Sequence, residues 1–137
     1  MSDKGSIIFG GRYELKKRIA RGGMAEVFLG EDQLLGRPVA VKVLFPEFAS
    51  DPNFVERFRR EAQAAANLSH PNIVGVFDWG KERNTYYIVM EYVEGRTLSQ
   101  IIRKEGPLPV PRVVEVADAI ASAVGFAHKG NVVHRDM

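Results

Sequence analysis

A lysine stands in the middle of an otherwise apolar stretch, residues 39–44, which reads Val-Ala-Val-Lys-Val-Leu. Such a run of apolar and β-branched residues is typical of a buried β-strand. An ammonium group is costly to bury in a strand of this kind unless an anionic group lies against it. The sequence therefore predicts a strand whose Lys42 needs a carboxylate, with a phosphate as a further candidate partner.

The composition narrows the classes of protein to which the chain can belong. Its 137 residues suffice for one domain, or for two small lobes that share a cleft. A net charge of +2 is too small to indicate nucleic acid as a partner. The absence of cysteine excludes disulfides and thiolate metal sites, and it fits a reducing compartment. The apolar run at 7–9 is too short for a signal peptide or a membrane span.

Patterning in the first two thirds of the chain predicts a flexible leader at 1–11 and then a lobe of five strands and one helix at 12–93. Short stretches of alternating or continuous apolar residues indicate the strands. They lie at 12–19, 26–30, around Lys42, at 73–79 and at 85–91. Gly22 and Gly23 are predicted to join the first two strands in a hairpin.

A helix is predicted after the third strand. Asp51 can cap it, Pro52 suits its first position, and it should run to about Asn67. Its apolar stripe consists of Phe54, Val55, Phe58, Ala62 and Ala65. Glu61 lies three residues after Phe58 and four before Ala65, so we expect this carboxylate to project from the buried stripe and to need a partner.

The last part, 94–137, is predicted to begin with a connector at 94–96, to continue in two helices and to end in a loop. A short helix at 98–104 ends at Gly106, and a long helix runs from about residue 111 to 129 with Gly130 as its C-cap. In the window 110–127, 12 of 18 residues are Val, Ala, Ile or Phe. A helix of this composition needs cover on most of its surface, and the preceding elements can cover only one side.

The order of these elements and the motifs on them resemble the eukaryotic-like serine/threonine protein kinases, most closely the bacterial branch. The motifs are the glycine hairpin at 20–27, the Val-Ala-Val-Lys strand, Tyr-Ile-Val-Met-Glu-Tyr-Val-Glu-Gly at 87–95 and His-Arg-Asp at 134–136. The resemblance implies an α+β, protein-kinase-like fold. Its N-lobe would be a five-stranded antiparallel sheet with one αC-type helix, followed by the first helices of an incomplete α-helical C-lobe.

The resemblance also implies an ATP site. In the family, the lysine binds the ATP phosphates and pairs with a helix glutamate, which here would be Lys42 and Glu61, 19 residues apart. An edge lysine beside a solvated glutamate is the alternative. Of the family's three loop glycines only Gly22 is kept, and a plain hairpin turn is the alternative to a phosphate loop. The remaining nucleotide contacts would come from Ile19, Ala20, Arg21, Gly23, Met24, Ala25, Val27, Ala40, Val74, Met90, Glu91 and Val93.

Within the resemblance, Asp136 would accept the proton of the substrate hydroxyl. The asparagine and the Asp-Phe-Gly motif that hold Mg²⁺ in the family do not occur in this sequence, so Mg²⁺ is expected only with a complete domain and no metal ligand is assigned here. His70 is interpreted as a packed loop residue and His128 as a complement to a helix C-terminus.

Three hypotheses for the function remain open. The chain is the N-terminal part of an ATP-dependent serine/threonine kinase and is inactive alone. Alternatively, it is a non-catalytic, nucleotide-binding or regulatory module, or an incomplete gene product with no independent function. The resemblance implies a protein substrate for the complete enzyme, a cytoplasmic location with a later membrane anchor in some relatives, and pairing of two N-lobes in others.

Overall fold

The computed structural model describes residues 7–130, which divide into two compact units. The first unit contains the described residues up to Asn67 together with Gly75–Tyr92. The second contains Leu68–Val74 and the described residues from Val93 onward. No helix in this described part is long and apolar enough to cross a membrane.

The first unit is a six-stranded antiparallel sheet with two helices. The strands are β1 (Ile7–Phe9), β2 (Tyr13–Arg21), β3 (Ala25–Asp32), β4 (Arg37–Leu44), β5 (Val76–Glu82) and β6 (Thr85–Glu91). Their order across the sheet is β1-β2-β3-β4-β6-β5. The helices α1 (Pro46–Ala49) and α2 (Pro52–Ala66) lie between β4 and β5 in the sequence.

The expectation of five strands is wrong by one, because β1 lies inside the segment predicted to be a flexible leader. Gly10 and Gly11 adopt φ of 62° and 64°, which lets the chain turn back so that β1 pairs with β2. Phe9 is 4% exposed, and its ring lies 5.2 Å from that of Tyr87. A strand of three residues is too short to show a periodic pattern in the sequence. The strand β1 forms because Phe9 is buried against the rest of the sheet.

The two faces of the sheet have separate cores. On one face, the buried side chains are Phe9, Tyr13, Val39, Val41, Tyr87 and Val89. On the other face, Leu44 and Ile88 pack with Phe58 and Ala62 of α2. Because successive side chains of a strand alternate between faces, Lys42 belongs to the face that carries Leu44 and α2.

Helix α2 has nearly the predicted bounds and the predicted cap. The Asp51 carboxylate accepts a hydrogen bond from the N–H of Asn53 at 2.9 Å, and Pro52 is the first helical residue. Phe58 is 0% exposed and Ala62 is 6% exposed. These two residues anchor the helix on the sheet.

The turn between β3 and β4 is organised by the buried carboxylate of Asp32, which is 1% exposed. Arg12 donates two hydrogen bonds to it, from Nε and Nη2, both at 2.8 Å. The N–H groups of Leu34 and Leu35 donate to Oδ1 at 3.0 and 3.2 Å. The hydrogen bonds from Arg12 are the main reason that the pKa of Asp32 is lowered to about 2.

The second unit contains the helices α3 (Leu98–Glu105) and α4 (Val110–Lys129). Thr97 and Gln100 form a capping box at the start of α3, and Gly106 follows its end with φ of 82°. Gly130 is the C-cap of α4, as predicted. The predicted bounds of both helices differ from the observed ones by one residue at one end.

Candidate functional site

Cross-strand register brings several predicted site residues to one face of the sheet. Val27 pairs with Lys42, and Ala40 pairs with Met90. Ala20 on β2 pairs with Val27, so Ala20, Val27 and Lys42 lie side by side across three neighbouring strands. Directly paired residues point to the same face, as do residues two apart in one strand. The side chains of Ala20, Val27, Ala40, Lys42 and Met90 therefore share one face, although they come from four strands.

Lys42 is half-buried on this face. Within residues 7–130, no carboxylate lies close enough to form an ion pair with its ammonium group, and no hydrogen bond reaches it. The sequence predicts that Lys42 needs an anionic partner, and the described residues do not provide one.

Glu61 does not supply the anion here. The expectation that it lies on a buried face is wrong, because its side chain is exposed and no described ion pair joins it to Lys42. The buried side of α2 is centred on Phe58 and Ala62. At about 100° per residue, Glu61 lies roughly 60° from Phe58 and roughly 100° from Ala62, on the solvent side of both. Its pairing with Lys42 is not formed in this structure and stays a prediction.

The turn between β2 and β3 leaves the backbone accessible at Gly23. The N–H of Gly22 donates to the carbonyl of Ala25 at 2.8 Å, which closes the turn. A Cβ atom added at Gly23 would meet no atom within 4 Å, and neither glycine has a positive φ. The fold itself does not require glycine at position 23, and the space beside the main chain there is open.

The other members of the predicted phosphate loop differ in exposure. Ala25 is 6% exposed and packs in the core with Leu44, so its side chain has a structural role. Ala20 and Arg21 are exposed, and Met24 is half-buried against the same core. No sequence pattern points to Phe45, whose N–H donates to the Met24 carbonyl at 2.8 Å and whose ring contacts Arg21.

Glu91, at the end of β6, is held by Gly75. Its N–H donates to the Gly75 carbonyl at 2.8 Å, and its Oε1 accepts from the Gly75 N–H at 3.0 Å. The N–H of Glu91 is therefore already engaged within the sheet-rich first unit. The predicted contacts Ile19, Val74 and Val93 are exposed apolar side chains, and Val74 and Val93 belong to the second unit.

Asp136, with its neighbours His134 and Arg135, lies outside the described residues. No group of three or more His, Asp or Glu side chains that could hold a metal ion occurs between residues 7 and 130. The interpretation of His70 as a packed residue is supported by its contacts. Its Nδ1 accepts from the Asn72 N–H at 3.0 Å, and its Nε2 lies 3.1 Å from Ser122 Oγ.

The second unit has an open apolar groove of about 640 Å³. Segment 68–74 forms one wall through Leu68 and Ile73, and α4 forms the other through residues such as Val116, Ile120 and Val124. This agrees with the expectation that the preceding elements cover only one side of the long apolar helix.

Comparison with known proteins gives a consistent result. A family model described as the protein kinase domain matches residues 13–137. The chain is 50% identical over 127 residues to the serine/threonine-protein kinase PrkC of Bacillus subtilis, with 93% of this chain and 20% of that protein covered. It is 48% identical over 130 residues to the serine/threonine-protein kinase PknB of Mycobacterium tuberculosis, with 92% and 21% covered.

Solved structures agree. The PknI kinase domain of Mycobacterium tuberculosis matches with a TM-score of 0.79 at 35% identity, over 96% of this chain and 53% of that one. The apo form of PpkA-294 matches with a TM-score of 0.84 at 22% identity, which shows a shared fold. The chain thus spans about a fifth of these curated relatives and about half of these solved domains.

Proposed function

Because the chain belongs to the protein kinase family, we propose that it forms the ATP-binding part of a serine/threonine protein kinase. The observation that carries this proposal is Lys42, half-buried and without an anionic partner among the described residues. It shares a sheet face with the small or apolar side chains of Val27, Ala40 and Met90. A cation beside apolar walls is suited to a ligand with a flat aromatic base and an anionic tail.

The residues present fit ATP, whose role is to supply the phosphoryl group that the kinase transfers. Lys42 would hold the phosphates, and the accessible backbone at Gly23 would approach them. Met90 would border the adenine, and the carbonyl of Glu91 would accept a hydrogen bond from the base. Glu61 would orient Lys42 once α2 brings it closer. Asp136 would accept the proton of the substrate hydroxyl.

The proposal is tested by measuring the binding of a fluorescent ATP analogue to this chain, with and without Mg²⁺. A hydrogen bond from a charged group contributes about 1.5–3 kcal/mol, so Lys42→Met should weaken binding by about 10- to 100-fold. Lys104→Met, in α3, removes the same charge from an exposed site and serves as the matched control. Equal affinity in wild type and Lys42→Met would refute the assignment of the lysine.

We further propose that this chain alone does not phosphorylate protein substrates. The magnesium-binding motifs that the family places after the catalytic loop are outside this sequence, and metal ions neutralise much of the charge in phosphoryl transfer. A phosphotransfer assay with a generic protein acceptor should therefore show no turnover. Turnover that Lys42→Met abolishes would contradict this expectation.

Two further expectations from the family resemblance are carried over as proposals. The absence of cysteine supports a cytoplasmic location, and the resemblance implies a membrane anchor elsewhere in some complete proteins. Pairing of two strand-rich units is supported by Leu34 and Leu35, which are 71% and 58% exposed on a turn held by Asp32. Sedimentation equilibrium should show a dimer that Leu34→Ser weakens, and a monomer at all concentrations would refute pairing by this chain.

A further inference from the structure

Two contacts connect the β2–β3 turn to Phe45, the residue directly after β4. The N–H of Phe45 donates to the Met24 carbonyl at 2.8 Å. The guanidinium carbon of Arg21 lies 4.6 Å from the centre of the Phe45 ring, within the range of a cation–π interaction. Phe45 is three residues after Lys42 in the sequence. The position of the turn is therefore set relative to the strand that carries this lysine.

Among the described residues, the Arg21 guanidinium has only the Phe45 ring as an interaction partner. Its cross-strand partner is Glu26, but the ion pair of that carboxylate is made by Arg18, at 3.5 Å. No carboxylate among the described residues pairs with Arg21, which leaves the Phe45 ring as its contact. The guanidinium is thus directed at the end of β4 and not across the hairpin.

Packing holds the far side of the turn, where Ala25 is buried and Met24 lies against the core, but the two glycines add no packing of their own. Gly22 and Gly23 have no side chains that could pack, and the space around Gly23 is open. A backbone hydrogen bond from the Gly22 N–H to the Ala25 carbonyl closes the turn. Glycine also has the largest backbone freedom to lose, so an ordered turn at these positions needs support from its neighbours.

We infer that Arg21 and Phe45 form a clamp that holds the β2–β3 turn in position relative to Lys42 and so prepares its backbone to meet the phosphates of a nucleotide. This inference rests on the proposed function. Arg21 is a positioning residue in this account, since it acts through the Phe45 ring. A cation–π pair at an exposed site changes an equilibrium by about two- to fivefold. The apparent affinity for nucleotide should fall by up to this factor, because it scales with the fraction of molecules in which the turn is ordered.

The test uses the whole chain, four variants at Arg21 and Phe45, and one control variant. Arg21→Met keeps most of the side-chain stem but removes the cation, Phe45→Leu removes the ring, and the double variant removes both. Arg21→Lys keeps a cation for the ring and should restore near-wild-type behaviour. Arg18→Met is the matched control, because Arg18 lies on the same strand but pairs with Glu26. Two quantities are measured: the dissociation constant of the fluorescent ATP analogue, and hydrogen exchange of the Gly22 amide without nucleotide.

We expect Arg21→Met and Phe45→Leu each to speed exchange of the Gly22 amide by about two- to fivefold and to weaken binding by up to the same factor. The double variant should be no worse than either single variant, because the two residues make one interaction. Additive effects, or unchanged exchange in the single variants, would overturn the clamp. If the wild-type chain binds no nucleotide, the proposed function fails, and the exchange measurement alone then decides whether the clamp exists.

Discussion

Truncation of Phe58 tests how α2 is attached to the sheet. Its side chain is 0% exposed, and its ring centre lies 6.0 Å from that of Trp79 on β5. Phe58 and Ala62 are the only buried residues of α2, so Phe58 is the large side chain that holds this helix and its Glu61. Removal of a fully buried phenylalanine side chain costs about 3–5 kcal/mol, because it loses apolar burial and leaves a cavity.

The control is Phe54→Ala in the same helix. Phe54 is half-buried, and its ring lies 4.8 Å from that of Phe48. It loses less contact on truncation, and we expect a cost of about 1–2 kcal/mol. Since a loss of several kcal/mol is a large part of the stability of a small domain, Phe58→Leu is included as a milder variant.

Equilibrium urea denaturation measures these differences, with far-UV circular dichroism as the main probe. The chain has a single tryptophan, Trp79, which contacts Phe58 and gives a second, local probe. If both probes give the same transition, a two-state analysis of the free energy of unfolding is justified. The expected order of destabilisation is Phe58→Ala, then Phe58→Leu and Phe54→Ala. If Phe54→Ala costs as much as Phe58→Ala, then Phe58 is not the main side chain that holds α2 on the sheet.

Three further predictions concern stability. Asp32 has its pKa lowered from 3.8 to about 2, mainly by its hydrogen bonds from Arg12, so its contribution is present above pH ~4 and is lost as the pH falls to about 2. Acid titration of the unfolding free energy should show this loss in wild type and not in Asp32→Asn. Gly80→Ala should lower the melting temperature, because the new Cβ would lie 2.5–2.8 Å from atoms of Tyr87, and overpacking costs about 1–3 kcal/mol; an unchanged melting temperature would contradict that packing. Thr97→Ala should cost about 0.5–2 kcal/mol by removing the cap of α3, whereas Thr97→Ser should retain it, as thermal denaturation can check.

Features that depend only on neighbouring residues could be predicted from the sequence. The start of α2 follows from Asp51 and Pro52, and the end of α4 follows from Gly130, since a cap involves only neighbouring residues. The apolar run around Lys42 is enough to predict a buried strand. The predicted strands before and after it lie in one antiparallel sheet, and the family resemblance agrees with the match to the protein kinase domain.

Other features depend on contacts between distant residues. The strand β1 forms because Phe9 packs against Tyr87, 78 residues later in the chain. The low pKa of Asp32 comes from Arg12, which a turn and two strands bring beside it. The contact between Arg21 and Phe45 has no periodic signal at all, because it joins the end of one strand to the end of another.

Lys42 and Glu61 show which properties follow from the sequence and which depend on tertiary packing. The sequence by itself determined that Lys42 is in a buried strand and that Glu61 is near the apolar stripe of a helix, because side-chain periodicity is a property of a single element. Only the tertiary structure decided that α2 rests on Phe58 and Ala62, which turns Glu61 toward solvent and leaves Lys42 without its carboxylate among the described residues. The physical reason is that rotation of a helix about its axis is set by the side chains it buries against its neighbour, and the pattern of the helix alone does not specify that packing.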